Sequence, residues 1–254
     1  MPNHVTNVVY FNAPSMDILM QLYSYIAAKD QNENKIIGSI DFNTLIPMPN
    51  DLDVESGSII NELLSIYSYH YGLPTEVINY VNNKHNFIII STNNIDKIYD
   101  KLTKALKINI ESINALAKRY IDNIIKYGGP TWYEWRCNNW NTKWNAYEFL
   151  PFNEMRNYIQ FNTAWSHVGF TIIRKIHELF PQVGIHYRYA DEDFGNNCGI
   201  IIYENGRLVV NIEPQPMSNW AIDLSAKVLE VEPKEYGYTK NTNGIYEYYE
   251  EEDC

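Results

Sequence analysis

Apolar positions along the chain alternate between two periods. Ile110, Ile113, Leu116, Ala117, Tyr120, Ile121, Ile124 and Ile125 recur every three or four residues. That is the spacing of one helix face, and Gly128 follows as a natural stop, so a helix is predicted over 110–127. The same spacing predicts helices over 16–26 behind a Ser15 cap, and over 58–69, 94–106, 166–180 and 218–229. Pro74 opens a shorter one over 75–82. Period-two or short apolar runs predict strands over 4–12, 36–45, 158–164, 184–189, 198–203 and 207–212. Asn205-Gly206 joins the last two as a hairpin turn. The run 86–91 reads as a buried strand or an extended link, and 144–150 as a further strand.

Strand, helix, antiparallel strands and helix in the last third is the grammar of a ferredoxin-like α/β sandwich. The fold class is therefore α+β. A helix-rich α+β N-terminal region covers 1–127, and a Trp-rich junction with the ferredoxin-like domain covers 128–231. An acidic, Tyr-rich tail, read as disordered, covers 232–254.

Four of the six tryptophans, Trp132, Trp135, Trp140 and Trp144, fall within 128–149, interleaved with asparagines, Arg136 and Lys143. Large aromatics beside amides and cations suit a buried junction between layers. They equally suit a recognition surface, since Trp, Tyr and Arg carry most binding energy at interfaces. Trp132, Trp135, Arg136, Trp140, Lys143, Trp144 and Asn145 are candidate binding residues on the second reading. Trp135-Arg136 and Lys143-Trp144 have the basic-aromatic pairing that stacks single-stranded bases, although two cations are few for that purpose.

Charge changes the picture more than composition does. The net charge is −11. From residue 190 onward there are 14 acidic and 4 basic residues, a balance of −10, which leaves −1 for the other 189. Such a distribution disfavours binding to nucleic-acid phosphates and favours a basic partner. Asp191, Glu192 and Asp193, with Glu250, Glu251, Glu252 and Asp253, are the candidate acidic contacts. The alternative is a surface that serves solubility.

Four segments, in order, carry a family resemblance: MPNHVTN at 1–7, FNTLIPMP at 42–49, NWNTKWNAY at 139–147 and FNTAWS at 161–166. They resemble the YubB-like proteins of plasmids and phages, and NWNTKWNAY is the specific one. The resemblance implies a C-terminal ferredoxin-like domain and an accessory protein of a mobile element. Three positions depart from the pattern. Asn141 stands where a glycine is expected before Thr-Lys-Trp, and His167-Val168 replaces expected prolines.

The chemistry-bearing motifs are missing. There is no P-loop, dinucleotide fingerprint or nucleophile elbow, and no His or Cys pair at zinc spacing, so neither cofactor nor metal is expected. Asp191–Asp193 could hold a divalent cation through oxygens, but adjacent side chains diverge, and a solvated loop is the simpler reading. Cys137 lacks a neighbouring histidine to act as base. Three cysteines without a CxxC pair, no export signal and no apolar run of about 20 residues point to a cytoplasmic protein of a bacterial host. The expected function is non-catalytic: binding a host protein or nucleoprotein complex with a basic surface, and inhibiting a nucleic-acid-targeting defence complex. The alternative is single-stranded nucleic-acid or nucleotide binding through the Trp-rich stretch.

Overall fold

Strand β1 (His4–Asn12) is the middle of the molecule's main sheet. The computed structural model describes residues 3–57, 59–84 and 94–249. The apolar run at 86–91 lies outside these residues. The chain packs as two units, one made of 1–47 with 139–254, the other of 48–138.

In the first unit, β1 pairs antiparallel with β2 (Tyr158–Ala164) on one side and with β3 (Gly184–Asp191) on the other. β3 continues into β4 (Gly199–Glu204) and β5 (Arg207–Ile212), which gives the order β2-β1-β3-β4-β5. The β4–β5 turn places Asn205 and Gly206 at φ of 48° and 78°, as a tight hairpin with two left-handed residues requires. Because β1 is antiparallel to both neighbours, β2 and β3 run parallel. Helix α8 (Phe170–Leu179) makes the crossover between them, the split β-α-β of a ferredoxin-like domain.

Period two decides what each sheet face buries. Val5, Asn7, Val9 and Phe11 turn one way and are all buried. The polar member, Asn7, is fully satisfied. Its Nδ2 donates to Thr163 Oγ1 at 2.9 Å, and its Oδ1 accepts from the Tyr187 hydroxyl at 2.6 Å and from the Val168 amide at 3.1 Å. A buried amide left without these partners would destabilise the sheet centre. On the opposite face, Val8 and Ala190 pack under α9 (Asn219–Leu229), against Ala221, Leu224 and Val228.

Helix α1 (Met16–Ile26) follows β1, capped by Ser15 Oγ as expected. The segment 36–45, expected as a strand, instead forms a single helical turn, α2 (Phe42–Leu45), under an Asp41 cap. That capping hydrogen bond outcompetes a loose alternation which Pro47 and Pro49 prevent from extending. The strand expected over 144–150 is also absent. Those residues run along the outer edge of β2, joined to it at Tyr147–Asn162 and through the Leu150 amide to Gln160.

In the segment 232–254, expected as a disordered tail, the described residues 232–249 are ordered. A 3₁₀ turn (Pro233–Tyr236) with a reciprocal Glu232–Glu235 cap leads into a hairpin, β6 (Tyr238–Lys240) with β7 (Tyr246–Tyr248). Its tyrosines do what the charge count conceals. Tyr236 and Tyr238 stack on Phe194, and the Tyr246 hydroxyl donates to Asp223 on α9.

The second unit is helical: α3 (Ile60–Tyr71), α4 (Thr75–Asn83), α5 (Ile95–Leu106) and α6 (Ile110–Tyr127). Leu63, Ile66, Leu102, Ile113, Ala117 and Ile121 form its core. Asn109 caps α6 at its start, and Gly128 ends it at a φ of 75°. The expected division at 127 thus differs from the packing, since β1 and α1 belong with the C-terminal sheet.

Candidate binding surface

The Trp-rich stretch divides into core and surface. Helix α7 (Trp132–Trp140) carries Trp132, Trp135, Arg136 and Trp140. Trp140 has no exposure; its indole lies edge-on to Phe42, which in turn meets Phe161. Trp135 is also buried, and the Arg136 guanidinium lies over the Trp132 ring, its centre 4.9 Å away. As binding residues, Trp135 and Trp140 are therefore corrected to core residues. Asn145 likewise serves the fold: its Oδ1 accepts from the Phe42 amide, and its Nδ2 donates to Asp41.

Further along the stretch, Lys143 is half-buried and Trp144 is exposed. The Lys143 ammonium lies 4.2 Å from the centre of the exposed Trp144 ring and 3.5 Å from that of exposed Trp165. Beside Trp144 lies Tyr147, whose hydroxyl meets His4 Nδ1 at 2.8 Å and which burial pushes up to about 12 in pKa.

The acidic candidates divide too. Asp191 is buried at the end of β3, accepting from Asn3, Asn197 and the Asp193 amide. It fixes a loop and is not free to bind a partner. Glu192 and Asp193 are exposed. Glu250, Glu251, Glu252 and Asp253 lie outside the described residues. Among the described residues, no three His, Cys, Asp or Glu side chains group as a metal site. Nine of the ten carboxylates described between 190 and 249 are exposed, and they sit on folded elements.

A second surface was missed in the sequence. Sheet register aligns Tyr158, Tyr10, His186, Ile202 and Val210 in one row across all five strands, on the face that α9 covers only in part. All five are half-buried. Beside this row opens a cavity of about 460 Å³, lined by Tyr10, Asn12, His186, Arg188, Glu204 and Lys227 among others. Tyr10 and Tyr158 lie 4.9 Å apart, with Arg188 over Tyr10 and Arg156 over Tyr158. His186 Nε2 is 2.9 Å from Glu204 Oε1. The signal was present: the even positions of β1 and β3 carry Tyr10, Asn12, His186 and Arg188 where a helix-covered face would be aliphatic.

No helix among the described residues is long and apolar enough to cross a membrane. Residues 139–232 match a family described as the ferredoxin-like domain in Api92-like protein. The match begins at the first residue of NWNTKWNAY, and it excludes β1. Among solved structures, the chain is similar to the api92 protein of Yersinia pseudotuberculosis at a TM-score of 0.37 and 10% identity, over 85% of this chain and 99% of that one. No curated protein matches the chain significantly.

Proposed function

We propose that this chain is a non-catalytic accessory protein of a mobile element, of the YubB-like kind. It acts in the bacterial cytoplasm by binding a basic host protein and inhibiting a nucleic-acid-targeting defence complex. One observation carries the reading: of the balance of −10 over 190–254, −6 falls on the described residues 190–249, where nine of ten carboxylates are exposed on folded elements. Carboxylates held on a folded surface complement a basic groove at a lower ordering cost than the same charges on a loose tail. Glu192, Asp193 and Glu230 are exposed, and none has an ion pair within 4.0 Å among the described residues.

The test is retention of proteins from a nuclease-treated bacterial lysate by the full chain, across a salt series. It is repeated with Glu192→Gln, Asp193→Asn and Glu230→Gln combined, and with Glu250, Glu251, Glu252 and Asp253 neutralised. Expected is a protein partner whose retention falls about tenfold between low and high salt, and falls similarly in the neutralised variants. A partner held equally at high salt by every variant would overturn the charge mechanism.

A further inference from the structure

The cavity on the partly covered sheet face combines three features that the acidic surface does not use. The first is aromatic. Tyr10 lines the cavity, half-buried, and Tyr158 pairs with it across β1 and β2 from outside the lining. A planar ring can be received here by stacking. The second is cationic. Arg188 and Lys227 line the cavity, and neither has an ion pair within 4.0 Å among the described residues. In a chain of net charge −11, two cations without an ion pair, set against the one carboxylate of Glu204 in the same lining, mark a place where an anion is favoured. The third is a set of hydrogen-bonding groups on the same wall: the Asn12 amide and the His186–Glu204 pair. Glu204 is an acceptor suited to a ligand hydroxyl or amino group, and it disfavours a ligand that is anionic throughout.

We propose that this cavity binds a mononucleotide. Its base lies against Tyr10, and its phosphate is held by Arg188 and Lys227. Asn12 and Glu204 meet the sugar hydroxyls or the edge of the base. At about 460 Å³ the cavity is within the range of small-molecule sites. A polynucleotide would have to pass the exposed carboxylates of the same unit, whereas a single nucleotide brings one phosphate group to two cations. This site is independent of the acidic surface proposed to meet a protein.

The test is calorimetric titration of the full chain with AMP, CMP, GMP and UMP. Adenosine, inorganic phosphate and a single-stranded oligonucleotide are the comparison probes. At least one monophosphate should bind with a dissociation constant below about 1 mM, more tightly than adenosine or phosphate alone. Arg188→Ala and Lys227→Ala should each weaken it about tenfold, because each removes a charge-assisted contact. Lys227 is exposed on α9, so its variant keeps the test sound if Arg188→Ala disturbs packing. Tyr10→Leu should weaken the monophosphate and leave any phosphate binding unchanged. The proposal fails if no monophosphate binds, if phosphate alone binds as well, if only the oligonucleotide binds, or if Lys227→Ala binds as wild type does.

Discussion

The indole N–H of Trp140 donates a 3.0 Å hydrogen bond to the carbonyl oxygen of Ile46. This contact ties the Trp-rich stretch to the segment that precedes Pro47, and it fixes Trp140 as a structural residue.

Trp140→Ala should therefore destabilise the protein by about 3–5 kcal/mol, the usual cost of emptying a buried aromatic site. Trp144→Ala, at a ring that is 40% exposed, should cost under about 1 kcal/mol. Chemical denaturation of both variants checks the order, and equal losses would contradict the division into core and surface.

Asn141 adopts a φ of 65°, and its side-chain amide donates to Ser166 Oγ and to the His167 carbonyl. Left-handed backbone is tolerated by Asn and Gly but costs about 1 kcal/mol for alanine. Asn141→Ala loses the hydrogen bonds and gains strain, while Asn141→Gly loses only the hydrogen bonds. Thermal melting should rank wild type first, then Gly, then Ala. A Gly variant no more stable than Ala would show that backbone strain is not what this position resists.

His167 stacks on Tyr189 with ring centres 3.8 Å apart, and its Nδ1 lies 2.8 Å from the Val168 carbonyl, which can only accept. Burial lowers its pKa below the ordinary 6.5, and the Val168 carbonyl and Glu213 offset this only in part. The unfolded chain thus takes up this proton at a higher pH than the folded one does. Stability is unaffected above about pH 6.5 and falls as the pH drops through that value. His167→Phe should flatten the change in melting temperature between about pH 7 and about pH 5.5 relative to wild type. An unchanged slope would exclude His167 as a source.

Much of the fold was legible because its signals are local. The helix 110–127 carries its period, cap and stop within 20 residues, and the β4–β5 hairpin carries its Asn-Gly turn. The failures are non-local. Nothing near Phe42 says that Asn145, about a hundred positions later, will accept its amide hydrogen bond. Tyr-rich acidic sequence after 232 read as unstructured because Phe194 and Asp223, the partners that order it, lie outside it. For the site, Trp spacing drew the eye to a stretch in which Trp135 and Trp140 are core. Tyr10, Tyr158, His186 and Arg188 became neighbours only through sheet register, which a single chain does not display.

β1 is synthesised well before its partners, which are encoded from residue 158 onward, with Val5 facing Asp191 across the ladder. Throughout that interval of translation a nascent chain carries an orphan strand bearing Val5, Val8, Val9 and Phe11. The sheet closes late, as pairings of such long sequence separation do. Conversely, a fragment limited to 139–232 would present β2 and β3 with a vacant slot between them. The two pieces are complementary halves of one sheet, so a strand from one copy can complete another. Exchange between newly made chains is thus the misassembly to which this topology is most open.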